Sequence, residues 1–299
     1  MKNLQYLLIA VILTACKNQD NKLVLDTNYT SEIDAFFNAK MEERQGDYLQ
    51  LVALHKLDSG NNTFGKSQKN NIILDIDELP ETIGTITMID DSLRFSTFKN
   101  TEVRTNEDSI IATLPLKLDK YGSSQKLNYN KLRWQIITRS KQHYLRVWNK
   151  NNPAVEAFKG FQKFELNSDF IFDADFTYYK KEKSEIVKAE VDGKRSTSFI
   201  GKMTFMHNDK IHTLEVGNGG FTMIGDATTG ETTYGGGRYM YIKLPDSNGE
   251  VNLDFNKLYN PPCAFSEFTT CLYPPRQNHM SFEILAGEKL ALNDRTSQH

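Results

Sequence analysis

The chain of 299 residues has few cysteines, no long hydrophobic run and no excess of positive charge. Its most apolar stretch, residues 4–13, is about half as long as a transmembrane helix. The 36 basic and 38 acidic residues leave a net charge of -2. Nucleic-acid binding depends on a basic surface that neutralises phosphates, so we expect no nucleic-acid partner.

Motifs of the common enzyme and metal-site classes are also missing. The sequence has no Gly-x-Ser-x-Gly elbow, no GxGxxG that opens a helix after a strand, no HExxH and no EF-hand spacing. Cys263, Cys271 and His279 offer zinc-type donors, but the Cys-x7-Cys spacing is not that of a zinc knuckle. We therefore expect no metal and no cofactor, and the sequence leaves open whether the chain is an enzyme.

The amino terminus has the pattern of a bacterial lipoprotein signal. Lys2 precedes the short apolar stretch, and Leu13-Thr14-Ala15-Cys16 forms a lipobox. We expect residues 1–15 to be removed as a signal peptide, Cys16 to carry lipid including palmitate, and residues 16–30 to be a flexible linker. The protein would then be anchored in the cell envelope. Lys17 is not the acidic residue that often retains lipoproteins at an inner membrane, so we favour the outer membrane.

The cysteine count agrees with an oxidising compartment. With Cys16 consumed by lipid, Cys263 and Cys271 remain as an even pair. A disulfide between them is the expectation, with a pair of free thiols as the alternative.

Hydrophobic periodicity predicts a mainly β protein with one amphipathic helix at its start. Ser31-Glu32-Ile33-Asp34 resembles a capping box, and the apolar residues after it fall at helical spacing as far as Gly46. Short alternating runs separated by turn residues follow, which predicts antiparallel sheets. We divide the mature chain into a helix plus β-sandwich at 31–120, an antiparallel β-domain at 121–290 and a disordered tail at 291–299.

A polar cluster in the second predicted domain is the candidate ligand site. Arg238 shares a strand face with Met240 and Ile242, so a buried Arg238 would need a carboxylate partner, for which Asp254 and Glu288 are the candidates. The alternative is that these groups form structural ion pairs and turn caps. The candidate ligand-binding residues are Arg238, Asp254, Asn256, Asn260 and Glu288.

Motifs in the last third of the chain resemble the bacterial family called domain of unknown function sixteen eighty-four. These motifs are Asp226-x-Thr-x-Gly230, Tyr234-Gly-Gly-Gly-Arg238-Tyr239, Leu253-Asp-Phe-Asn256, Tyr259-Asn-Pro-Pro-Cys263, Cys271 with Pro274-Pro275, and Ala286-Gly-Glu288-Lys289. The likeness extends upstream through Asn152-Pro153 to residues 32–74. It implies a shared β-rich architecture and a shared carboxyl-terminal surface, with no activity attached.

A second resemblance concerns residues 57–74, which are similar to the opening of forkhead-associated (FHA) domains. The turn Gly65-Lys66-Ser67 carries lysine where that family has a phosphate-binding arginine. Lysine cannot form a bidentate fork. The resemblance therefore implies an FHA-like β-sandwich without its ligand.

Three functions remain open on this basis. The first is an envelope lipoprotein that binds a small polar ligand or an envelope protein through its carboxyl-terminal β-domain. The second is a hydrolase that uses Asp254 or Glu288 as general acid or base. The third is a structural scaffold, which requires no pocket.

Overall fold

The computed structural model describes residues 26–290. The expected signal peptide, the lipid site Cys16, most of the linker and the tail at 291–299 lie outside the described residues. Within residues 26–290, no helix is both long and apolar enough to cross a bilayer.

Helix α1 runs from Thr27–Gly46 and begins earlier than the sequence predicts. Asp26 is its N-cap, and one of its carboxylate oxygens accepts a hydrogen bond from the backbone N–H of Tyr29 at 2.8 Å. Ser31, the predicted cap, instead donates to the carbonyl oxygen of Thr27 from inside the helix. Because the Asp26 carboxylate satisfies a free N–H one turn earlier, the helix takes in the end of the predicted linker.

Ten strands form the first β-sandwich. They are β1 Leu51–Lys56, β2 Gly60–Gly65, β3 Ile72–Ile73, β4 Gly84–Ile89, β5 Ser92–Thr97, β6 Arg104–Thr105, β7 Thr113–Leu116, β8 Leu127–Tyr129, β9 Leu132–Arg139 and β10 Gln142–Asn149. One sheet has the order β1-β10-β9-β8-β6 and the other β3-β2-β4-β5-β7. Phe64, Phe95 and Trp134 pack together at its centre, with ring centroids 5.4–6.0 Å apart.

The predicted domain boundary at residues 120/121 falls inside this sandwich. Strand β1 pairs with β10 from Leu51↔Trp148 to Lys56↔Tyr144, so residues 127–149 belong to the first unit. The polar residues 119–126, at the predicted boundary, form a loop in which Asp119 accepts hydrogen bonds from backbone N–H groups. The boundary therefore moves beyond β10, because the pairing of two strands that lie far apart in sequence leaves no local signal.

The second unit follows a short helix, α2 Pro153–Ala157. Its strands are β11 Ile171–Ala189, β12 Gly193–His207, β13 Lys210–Gly217, β14 Phe221–Ile224, β15 Arg238–Tyr241 and β16 Gly249–Asp254. A four-stranded antiparallel sheet has the order β13-β12-β11-β16, and β14 pairs with β15 in a separate hairpin. Irregular chain from residue 255 to 290 packs over these strands. The predicted fold class, mainly β with an N-terminal helix and a carboxyl-terminal antiparallel region, is confirmed.

The glycine run ahead of β15 brings the backbone into close contact with Pro274. At Gly237, where φ is +77°, a Cβ atom would lie 2.4 Å from Cγ of Pro274. Only glycine combines this backbone angle with this contact.

Helix α1 packs on the second unit rather than on the sandwich that follows it in sequence. Its buried residues Ile33 and Phe37 join a cluster with Phe199, Met223 and Tyr259. This arrangement corrects the predicted grouping of the helix with the sandwich.

The last turn of α1 is fixed by a buried ion pair. Arg44, 1 % exposed, donates from both Nη atoms to the carboxylate of Glu288 at 2.9 and 2.7 Å. Its guanidinium lies between the rings of Phe161 and Phe265, 4.6 and 4.2 Å from their centroids. The helix is thereby joined to the far end of the chain.

Glu288→Gln should therefore destabilise the fold strongly. It leaves the Arg44 charge buried and unpaired, which costs about 3–5 kcal/mol of the free energy of unfolding. The matched control is Asp34→Asn, which breaks the exposed Asp34–Lys163 pair at 2.7 Å and should cost below about 1 kcal/mol. Urea unfolding measures both variants. The double variant Arg44→Met/Glu288→Leu should recover much of the loss, and equal losses in the two carboxylate variants would contradict this account.

Candidate functional site

Arg238 is fully buried, as predicted, but its partner is neither of the predicted carboxylates. Its Nη2 atom donates to Asp226 Oδ2 at 2.6 Å. Further hydrogen bonds run from the guanidinium to the carbonyl oxygens of Ile284, Ala286 and Glu288. Asp226 also accepts from the N–H of Thr228 at 2.7 Å, which explains the Asp-x-Thr part of the motif. The predicted ion pairs of Arg238 with Asp254 and with the Glu288 carboxylate are wrong.

Asp254 instead anchors the start of helix α1. Its two carboxylate oxygens each accept from the hydroxyl of Tyr29 at 3.0 Å. One of them also accepts from the backbone N–H of Asn256 at 3.0 Å. The Asn256 side chain in turn exchanges two hydrogen bonds with the backbone of Asn167. Asp254 and Asn256 therefore hold two chain segments together.

Glu288 and Asn260 complete a third contact. A carboxylate oxygen of Glu288 accepts from the backbone N–H of Asn260 at 2.8 Å, in addition to its pairing with Arg44. The Asn260 side chain donates to the carbonyl oxygen of Lys289. Burial raises the pKa of Glu288, against the attraction of Arg44.

The five predicted residues are therefore buried in hydrogen-bonded contacts. Each is at most 3 % exposed, and they belong to the contacts of three different carboxylates, with a hydrogen bond from Arg238 to the carbonyl oxygen of Glu288 linking two of these contacts. None of them lines either of the two cavities described below. The turn and ion-pair alternative accounts for these residues, with Asp226 in place of the expected partners.

Cys263 and Cys271, the pair identified by counting, form a disulfide. No cluster of metal-ligating side chains occurs among the residues that the structure covers. The disulfide closes the loop 263–271, which lies between the first sandwich and the second unit. We call these residues the disulfide loop.

A cavity of about 280 Å³ lies where the first sandwich, the second unit and the disulfide loop meet. We call it the arginine cavity, because three arginines line it. Residues of its wall include Asp47, Arg139, Arg146, Arg195, Phe221 and Tyr239.

Strand periodicity places two of these arginines outside the sandwich core. On β10, Leu145 and Val147 face the core, so Arg146 between them faces outward. On β9, Ile136 faces the core and Arg139, three residues later, lies on the opposite face. Both arginines therefore point away from the sandwich, toward the second unit.

Two of the three arginines meet at the disulfide loop. Arg195 forms a bidentate pair with Asp192 at 3.0 and 3.1 Å and donates to the carbonyl oxygen of Thr270 at 3.0 Å. Arg139 donates to the hydroxyl of Thr270 at 3.2 Å and to the carbonyl oxygen of Thr138 at 2.7 Å. Thr270 therefore brings a sandwich arginine and a second-unit arginine to one wall of the cavity.

Arg146 differs from the other two arginines of the cavity in its contacts. Within residues 26–290 it has neither a carboxylate partner nor a hydrogen bond, and its buried Nε atom is unpaired. Burial, with repulsion from Arg139, lowers the pKa of Arg146 to about 10. The pKa of Arg139 is also lowered, by burial and by Arg195. The three arginines of the arginine cavity thus carry more positive charge than the carboxylates of Asp47 and Asp192 neutralise.

A larger cavity of about 580 Å³ lies on the other side of the disulfide loop. Its wall carries Asp75, Asp77 and His55 among apolar residues, and no arginine. Lys66, in the turn that resembles FHA domains, is held by Asp77 at 3.3 Å. This cavity therefore lacks a buried cation, and its two carboxylates are exposed.

The comparisons with known proteins agree with the motif resemblance over part of the chain. Residues 156–289 match the family model described as "Protein of unknown function (DUF1684)". The match begins at the end of α2, covers the second unit and leaves out residues 32–74, where the sequence also suggests a likeness. DUF1684 carries no assigned activity to transfer to the site.

One solved structure is similar to part of this chain. A solution NMR structure of an uncharacterised protein from Haloarcula marismortui is 27% identical, covering 46% of this chain and 80% of that chain, with a TM-score of 0.38. No curated protein matches the chain.

Sequence reasoning missed the three arginines of the cavity. A signal was present in the strand alternation, which places Arg139 and Arg146 on outward faces. Nothing local shows that Arg195, on a strand of the other unit, lies against them.

Arg146→Met should stabilise the protein by about 1 kcal/mol, because it removes an unpaired charge from a partly buried position. The cost of this charge applies while Arg146 is protonated, below about pH 10, and lessens above it. Urea unfolding from pH 7 to 9 should show a constant gain. Arg94→Met, at an exposed position, should change stability by less than about 0.5 kcal/mol. A loss of stability in Arg146→Met would contradict this account.

Proposed function

We propose that the protein is a lipid-anchored envelope protein that binds a small anionic ligand in the arginine cavity. The observation that carries the proposal is Arg146, a partly buried cation that lines a cavity and forms no salt bridge or hydrogen bond within residues 26–290. A buried charge is unfavourable unless it is paired. A bound anion would supply the missing partner.

The charges around the cavity support an anion rather than a neutral ligand. Arg195 is neutralised by Asp192, whereas Arg139 and Arg146 have no carboxylate partner within residues 26–290. Asp47 also lines the cavity, and its carboxylate accepts the indole N–H of Trp148. Its attraction does not offset the burial and repulsion that lower the pKa of Arg146.

The geometry does not favour the two alternatives. A hydrolase that uses Asp254 or Glu288 requires a carboxylate open to substrate, and both groups are buried in hydrogen-bonded contacts. A scaffold requires no cavity with an unpaired charge. The binding site of the first hypothesis therefore moves from Arg238 to the junction of the two units.

The anchoring half of the proposal rests on the lipobox. About ten residues separate Cys16 from the cap of α1 at Asp26. An extended chain of this length reaches about 35 Å. Such a spacer would let the folded units lie off the surface of the membrane, for which the outer membrane is our proposal.

Equilibrium dialysis with radiolabelled inorganic phosphate tests the anion site. We expect one saturable site per chain, weakened by added salt. Arg146→Met should weaken binding at least about tenfold, since a charge-assisted hydrogen bond contributes about 1.5–3 kcal/mol. Arg94→Met removes the same charge at an exposed position and should bind like the wild type. Equal binding by both variants, or no saturable site in the wild type, would reject the proposal.

Mass spectrometry of protein from native membranes tests the anchor. We expect the chain to begin at Cys16 and to carry acyl chains, and Cys16→Ser to leave an uncleaved, unlipidated precursor. Native protein that retains residues 1–15 without lipid would contradict the anchoring.

A further inference from the structure

We propose that the ligand of the arginine cavity is a phosphate monoester with an aromatic group, its phosphoryl oxygens against Arg139 and Arg146 and its ring against Phe221. This inference rests on the anion site proposed above and adds the chemical class of the ligand.

Three arginines against the carboxylates of Asp47 and Asp192 leave a net positive charge at the cavity, and two of the guanidinium groups form no ion pair within residues 26–290. Arg139 and Arg146 both lack carboxylate partners in the described part of the chain, while Arg195 has Asp192. A phosphate monoester carries a charge between -1.5 and -2 at neutral pH and has three strong acceptor oxygens. A carboxylate offers one charge and two oxygens. Two guanidinium groups therefore match a phosphoryl group better.

The size of the cavity shows that a phosphoryl group alone would not fill it. A volume of 280 Å³ corresponds to about nine water molecules at about 30 Å³ each. A phosphoryl group, with its four or five non-hydrogen atoms, takes up roughly half of that volume. The remainder, about 140 Å³, is close to the roughly 150 Å³ of a cavity that holds benzene.

Part of the remaining wall is aromatic. Phe221 and Tyr239 line the cavity and form an edge-to-face pair, with centroids 4.9 Å apart and an interplanar angle of 86°. Tyr48 lines it as well. The hydroxyl of Tyr239 is occupied, because it donates to the carbonyl oxygen of Leu272 and accepts from its N–H. The aromatic wall therefore offers ring faces and edges, which favour stacking with a ligand ring.

Competition dialysis against radiolabelled phosphate tests the ligand class with four unlabelled probes: inorganic phosphate, phenyl phosphate, benzoate and dihexanoyl phosphatidic acid. We expect phenyl phosphate to bind at least tenfold more tightly than the other three. Benzoate, an aromatic ring with a single carboxylate charge, tests whether the phosphoryl group is needed. The short-chain lipid distinguishes a membrane headgroup from a free aromatic ester.

Two phenylalanine variants separate the ring contact from the charge contact. Phe221→Ala should weaken the binding of phenyl phosphate about tenfold more than it weakens the binding of inorganic phosphate. Phe98→Ala, which removes a ring that is 51 % exposed on the first sandwich, should change neither affinity. Arg146→Met should weaken both ligands.

The outcomes distinguish this inference from the proposed function. Saturable phosphate binding with phenyl phosphate no tighter than phosphate, or with Phe221→Ala unchanged, would overturn the aromatic monoester and keep the anion site. Tightest binding by benzoate or by the phosphatidic acid would overturn it in favour of a carboxylate or a lipid headgroup. No saturable binding of any probe would overturn the anion site and this inference together.

Discussion

The structure depends on the buried pair between Arg44 and Glu288. It joins the last turn of α1 to the carboxyl-terminal end of the described chain, with the arginine between two aromatic rings. Three residues later Asp47, the C-cap of α1, accepts the indole N–H of Trp148 on the first sandwich. The helix end therefore contacts both β units, and these contacts place the outward face of β10 against the second unit. The arginine cavity exists because of that placement.

Much of the fold could be predicted from local pattern. Alternation placed Arg238 with Met240 and Ile242, and all three are buried. The turn Asn208-Asp209, where φ is 49° and 57°, joins β12 to β13 as its residue types indicate. The boundary between the units could not be predicted, because β1 pairs with a strand about ninety residues later. Only tertiary packing decides such a pairing.

The site was less predictable than the fold. The sequence correctly predicts that a buried Arg238 needs a carboxylate partner. Three carboxylates were available, and the partner is Asp226, which is held in a turn by its hydrogen bond from Thr228. The arginine cavity could not be predicted from the sequence either. Arg139 and Arg195 converge on Thr270, which sits at the end of a disulfide loop far from both in sequence. Such a meeting of side chains depends on how the two units pack together. The face on which a side chain lies depends only on the alternation along its own strand.

The proposed function rests on the arginine cavity and on Arg146, which forms no ion pair within residues 26–290, and NMR of the guanidinium groups tests it most directly. Each Arg Nε–H gives its own resonance, assignable by substitution. On titration with phenyl phosphate, the resonances of Arg139, Arg146 and Arg195 should shift together and saturate at one equivalent, while that of Arg94 stays fixed. Uniform small shifts of all arginines without saturation, or no shift at Arg146, would contradict a specific anion site.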